Sequence, residues 1–236
     1  MRSLKLLAAS FLFLSPALAQ GSTWDVDPAH STVEFSVRHM MVTTVKGQFQ
    51  KVKGTVELDE KDPTKSTVEV SIETASIDTR EAKRDAHLKS AAFFDAGKFP
   101  AIVFKSTKVE KAGKGKFKVT GDLTMHGITK PVVLSVEGPS ASIKDPYGRT
   151  VKGVMAIGKL DRKDWGMTWN QALDTGGMVV SDEVKLDINA ELAERAVTPP
   201  APAGAEKPAT ADAKALPAAP AKPATPAAAP AKPSPK

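Results

Sequence analysis

Residues 30–58 read HSTVEFSVRHMMVTTVKGQFQKVKGTVEL, and this stretch constrains the fold most. Val33, Phe35 and Val37 alternate with Glu34, Ser36 and Arg38, the period-two pattern of a strand with one dry face. The alternation resumes at Val45, Gly47 and Phe49, then changes phase to Val52, Gly54, Val56 and Leu58. A one-residue phase change inside a strand-like run marks a bulge or bend. Long bent antiparallel strands let a sheet curl and close. The stretch therefore predicts a barrel, and the question is what fills it.

Further period-two segments fall near 66–74, 100–109, 116–126, 130–137, 150–160 and 182–193. With 32–39 and 44–59 they make eight strands, and no heptad or long apolar run competes with them. Two insertions interrupt the meander. Residues 79–94 read as a helix with Thr79 as N-cap and Glu81 in the first turn. Residues 163–177 read as irregular or partly helical and carry Trp165 and Trp169, which would share a face on a helix. Both insertions bring apolar residues of their own, so they are expected to cover an end of the barrel.

The ends of the chain are set apart. Arg2 and Lys5, an apolar run to Leu14 and Ala17-Leu18-Ala19 predict a signal peptide over 1–19. Residues 197–236 hold 11 of the 18 prolines among alanines and spaced lysines, which predicts an extended, disordered tail. The folded domain is then 20–196. The chain's net charge of +6 lies mainly in the two ends, leaving the domain near +1, so the charge offers no support for nucleic-acid binding. The tail reads as a spacer, and the alternative is weak, salt-sensitive contact of its lysines with an anionic envelope surface. The chain has no cysteine, so stability must come from packing.

An eight-stranded barrel is of the size that either fills with its own side chains or holds one small ligand. Gly47, Gly54, Gly121, Gly153 and Ala156 within strands either bend them or leave a lumen. The inward apolar set is Phe35, Val37, Phe49, Val70, Ile72, Phe104, Leu123, Met125, Leu134, Val136, Met155, Ile157, Leu186 and Ile188, with Trp165 and Trp169 as further ligand contacts. Arg38 and His39, at a strand end, are the candidates to meet a ligand head group. His30, His39, His87 and His126 lack metal-ligand spacing, and no nucleophile elbow, phosphate loop or dinucleotide fingerprint occurs. No metal, cofactor or catalytic residue is expected.

Several ordered motifs carry a resemblance. Trp24, Asp27, His30-Ser31, Val33, Phe35, Val37 and His39 are followed by Val45-Lys46-Gly47 and Phe49, then by Asp85, His87-Leu88 and Phe99-Pro100. GDLTMHGITKPVVL (121–134) and LDRKDWGM (160–167) complete the series. Across roughly 23–193 the chain resembles the YceI-like family of secreted polyisoprenoid-binding proteins, although Asn is common where Asp161 stands. The resemblance implies an all-β, lipocalin-like barrel, periplasmic and without catalysis, whose lumen holds a polyprenyl phosphate or an isoprenoid quinone. A structural or stress-related envelope protein with a filled barrel is the alternative. An enzyme acting on a bound lipid through His39 is a third reading. Oligomeric state is not readable from the sequence.

Overall fold

A computed structural model describes residues 21–174 and 176–196. The expected signal peptide and proline-rich tail lie outside the described residues. Twelve strands are described: β1 (Ser22–Val26), β2 (Thr32–His39), β3 (Thr43–Phe49), β4 (Val52–Leu58), β5 (Thr67–Glu73), β6 (Ile77–Asp78), β7 (Ala101–Gly113), β8 (Lys116–Met125), β9 (Ile128–Glu137), β10 (Ile143–Lys144), β11 (Thr150–Asp161) and β12 (Glu183–Glu194). They form one sheet that closes on itself because β12 pairs with β11 on one side and with β1 and β2 on the other. Every pairing between named strands is antiparallel.

Twelve strands make an eight-stranded barrel because two staves are broken. β1 and β2 follow one another along the same edge of β12, meeting it at Leu192–Glu194 and at Lys185–Asn189 respectively. β3 pairs with β2 and β4 with β1, so the second stave breaks at Gln50-Lys51. That break is where the hydrophobic alternation changes phase. Phe49 and Val52 are both buried, and the kink keeps both phases facing inward. The short β6 and β10 are edge additions on β3 and β11.

The register defines two ends. At the upper end β4 and β9 finish, β11 begins and β12 finishes. At the lower end β2 finishes at His39, β8 at Met125 and β11 at Asp161. At the lower end the chain leaves β11 through a 3₁₀ turn, Arg162–Trp165, which ends at Gly166 in the left-handed region with φ 73°. Trp165 is buried there, and its indole N–H donates to the Leu123 carbonyl at 3.0 Å.

The helix α1 (Ala82–Lys89) is shorter than the 79–94 expected, and its N-cap is Glu81 rather than Thr79. The Glu81 carboxylate accepts from the backbone N–H groups of Lys83 and Arg84. Thr79 is buried and instead donates its hydroxyl to Asp85 and accepts from the Arg84 guanidinium. After the helix, Phe94 meets Phe49 edge-on at 5.8 Å, and this contact pins the insertion to the barrel.

Candidate functional site

Inside the barrel lies a cavity of about 240 Å³. Among the described residues its wall carries no charged side chain. Val, Leu, Ile, Phe, Met, Ala and Pro dominate it, with Ser31, Thr32 and Ser66 as the polar exceptions. Pro63, Ser66, Gly138 and Pro139 line its upper part, while Phe49, Ile72, Ile102 and Met125 line it further down. Such a space can take a hydrocarbon chain and offers nothing to a polar body.

Of the inward residues read from the sequence, ten line this cavity: Phe49, Val70, Ile72, Phe104, Leu123, Met125, Leu134, Val136, Leu186 and Ile188. Met155 and Ile157 do not. They are 52% and 59% exposed, and point outward opposite Asn189 and Asp187. Val154, Ala156 and Leu160 take the inward phase of β11. Both phases of this strand carry apolar residues, so alternation alone selects the bulkier and wrong one. Ala156 lies in register between Val136 and Ile188, which fixes the phase.

Phe35 and Val37 also fall outside the cavity wall. Phe35 packs against Phe49 at 5.7 Å between ring centres and fills the space over Gly47, its cross-strand partner. A Cβ at Gly47 would come within 2.4 Å of that ring. Gly121 does the same for Phe104, where an added Cβ would lie 2.4 Å from the ring. These two glycines seat aromatic rings rather than hollow out the lumen. Trp165 and Trp169 share no face. The former is tied to Leu123, whereas the latter packs on His87 and Phe93 at 4.9 and 5.3 Å, and neither lines the cavity.

Arg38 and His39 are at the lower end, away from the polar rim of the cavity. The Arg38 guanidinium donates to the Thr44 hydroxyl at 3.1 Å and the Met41 carbonyl at 2.8 Å, so it serves its own hairpin. His39 bridges to Val180. A head group at the upper rim would meet neither.

The sequence reading missed the charged groups around the upper end. Asp27, in the break between β1 and β2, accepts from the Ala29 backbone N–H at 2.8 Å and from Arg149 at 2.9 Å, with His30 3.2 Å away. The backbone N–H of Ala29 does most to hold its carboxyl at a pKa of about 2, aided by Arg149 and His30 and opposed by burial. Arg149 also reaches Asp145 at 2.6 Å and Glu191 at 3.8 Å. Asp27, His30 and Glu191 place potential metal-ligand atoms within 4.8 Å of one another. The Arg149 guanidinium already supplies the positive charge of this cluster, so the geometry makes an ion-pair network without needing a metal ion. Partners such as Asp27 and Glu191, far apart in sequence, leave no spacing signal.

The YceI-like domain family matches residues 24–192. The chain belongs to that family. A UPF0312 protein of Vibrio parahaemolyticus is 39% identical over 166 residues, covering 68% of this chain and 87% of its relative. The YceI protein of Campylobacter jejuni superposes with a TM-score of 0.58 at 31% identity, over 67% of this chain and 90% of its own. A polyisoprenoid binding domain from Saccharophagus degradans, implicated in plant cell wall breakdown, shares the fold with a TM-score of 0.51 at 14% identity, over 74% and 99% of the two chains. In this YceI-like barrel the cavity residues beyond the inward ligand-contact set include Val33, Val56, Ile102, Val119, Val132 and Leu192. All but Val56 stand in the same alternation as a residue of that set, and Val56 belongs to the run that follows the phase change. Their phase was legible and their contact with the void was not.

Proposed function

We propose that the protein carries an isoprenoid lipid, a polyprenyl phosphate or an isoprenoid quinone, in the barrel lumen, and that it does so in the periplasm as a carrier rather than an enzyme. One observation carries this reading: an internal cavity of about 240 Å³ whose wall, among the described residues, holds no charged side chain. A filled barrel, the structural-protein alternative, would have side chains meeting across the middle. The family membership and the polyisoprenoid-binding neighbour support the choice of lipid. The signal-like N-terminal sequence supports the compartment. Among the described residues no histidine or carboxylate lines the cavity, which favours storage or transport over chemistry.

The magnitudes agree. Burying a methylene contributes roughly 0.8 kcal/mol. About ten buried carbons give ~8 kcal/mol gross, the level of micromolar affinity before chain ordering is subtracted. The cavity lies just below the ~300–1,000 Å³ of small-molecule sites. It therefore takes a prenyl segment, and a longer chain must shift wall side chains or emerge at the rim. The test is native mass spectrometry of protein purified from its own envelope. A prenyl-lipid adduct is expected. Protein recovered only empty, and unable to take up a prenyl alcohol afterwards, would overturn the reading.

A further inference from the structure

Among the described residues Lys152 is the one buried lysine. Its place is unusual for a cation. On β11 its side chain falls in the same alternation as Val154 and Ala156, and its cross-strand partner is Leu192; all three line the cavity. It lies just above them, beyond the last residue of β9, where Gly138 and Pro139 form the rim. The ammonium rests 4.9 Å from the ring centre of Trp24, itself 1% exposed, and 2.7 Å from a carboxylate oxygen of Glu60.

The two members of this ion pair are held very differently. The Lys152 side chain is 10% exposed and the Glu60 side chain 60%. The cation is held just above the cavity by an aromatic face and by its strand; the anion reaches in from a turn that follows β4. A buried ammonium without a partner is costly, so some anion must stay beside it. Glu60 can yield its place to another anion at little cost to itself, because water solvates it as it swings out. Arg149, three residues earlier, has no such freedom, since Asp27, Asp145 and Glu191 already surround it.

We propose that Lys152 anchors the anionic head group of the lumen's ligand, a phosphate ester on a prenyl chain, and that Glu60 stands in for that anion when the barrel is empty. This rests on the reading of the barrel as an isoprenoid carrier, and it selects the phosphorylated class over a neutral quinone. The chain would occupy the apolar lumen and the phosphate would meet Lys152 at the upper rim. A compact ammonium suits a phosphate oxygen as a point charge.

The experiment compares geranylgeranyl monophosphate with geranylgeraniol, which shares its chain and lacks its charge, on delipidated full-length protein. The phosphate is expected to bind at least about tenfold more tightly, the factor that one charge-assisted hydrogen bond supplies. Lys152→Met keeps the stem and removes the charge. It should abolish the preference while alcohol affinity stays within about twofold. Glu60→Gln removes the competing anion with Lys152 in place, and should strengthen phosphate binding severalfold. Equal binding of the two compounds by the unaltered protein overturns the anchor alone, as does a preference that survives Lys152→Met or is unmoved by Glu60→Gln. Binding of neither compound overturns the carrier reading, and the anchor with it.

Discussion

The indole of Trp165 and the carbonyl of Leu123 are joined by a 3.0 Å hydrogen bond between the 3₁₀ turn after β11 and a strand that walls the lumen. The bond is buried, so a missing donor leaves an orphaned carbonyl away from water. Trp165→Phe should cost about 1–2 kcal/mol for the lost bond. Trp165→Ala should cost about 3–5 kcal/mol because it also leaves a cavity. Urea denaturation followed by circular dichroism measures both. Prenyl-alcohol affinity should change little in Trp165→Phe, because this ring does not line the cavity.

Arg162 gives the same turn its polar core. Its guanidinium, 4% exposed, donates to the carbonyls of Ser181, Trp169 and Met167 and to the Asp182 carboxylate at 2.9 Å. Lysine cannot reproduce a planar fork that serves four acceptors. Arg162→Lys should therefore destabilise by about 2–3 kcal/mol and Arg162→Leu by about 3–5 kcal/mol, as found when one partner of a buried ionic group is removed. A urea midpoint for Arg162→Lys equal to that of the unaltered protein would remove this turn's claim to be a structural lock.

Ala156 and Ile157 are adjacent on β11 and face opposite ways. Ala156→Phe puts a ring into the void between Val136 and Ile188 and should abolish prenyl-alcohol binding. Its stability cost should stay at or below the ~1–3 kcal/mol of overpacking, because empty space receives part of the ring. Ile157→Phe, on the outer face, should leave binding unchanged. Fluorescence displacement of a prenyl probe reads both. The opposite result would mean that the barrel wall is in the other phase.

How far the sequence reveals the site follows from these strands. The strands with one apolar phase were legible, and so was the bend between β3 and β4, because a phase change has no other economical cause. β11 was not, because Val151, Met155 and Ile157 compete with Val154, Ala156 and Leu160 for the inward phase. Only the register against β9 and β12 decides between them. β1 was too short for alternation to show, and it puts Trp24 beneath Lys152. The head-group candidates Arg38 and His39 were placed by their position at a strand end. Which end of a barrel carries the polar rim is a property of closure, and no local pattern encodes it.

Asp27 gives a pH dependence with a definite sign. Its folded pKa of about 2 lies below the ordinary 3.8, so the folded state binds this proton less readily than the unfolded chain. Protonation therefore favours unfolding. The stabilisation is fully present above about pH 4 and is lost as pH falls towards 2, with a size of about 2 kcal/mol. Asp27→Asn should be less stable than the unaltered protein by about that amount at pH 7, and the gap should close near pH 2. Thermal denaturation across this range tests it. A gap that persists unchanged at pH 2 would assign the loss to packing rather than to charge.

Chain length is the last handle on the lumen. Each five-carbon prenyl unit that enters the cavity gains roughly 4 kcal/mol gross, reduced by the cost of ordering the chain. Units that no longer fit a 240 Å³ space meet the polar rim and gain little. Dissociation constants for prenyl alcohols of ten, fifteen, twenty and forty carbons, measured by isothermal titration, should fall steeply at first and then level off, at least about tenfold for the first added unit and within about threefold from twenty to forty carbons. A steady fall through forty carbons would show that the wall yields and the barrel swells around its cargo. No dependence on length would mean that the apolar lumen is not what holds the ligand, and the carrier reading would fail with it.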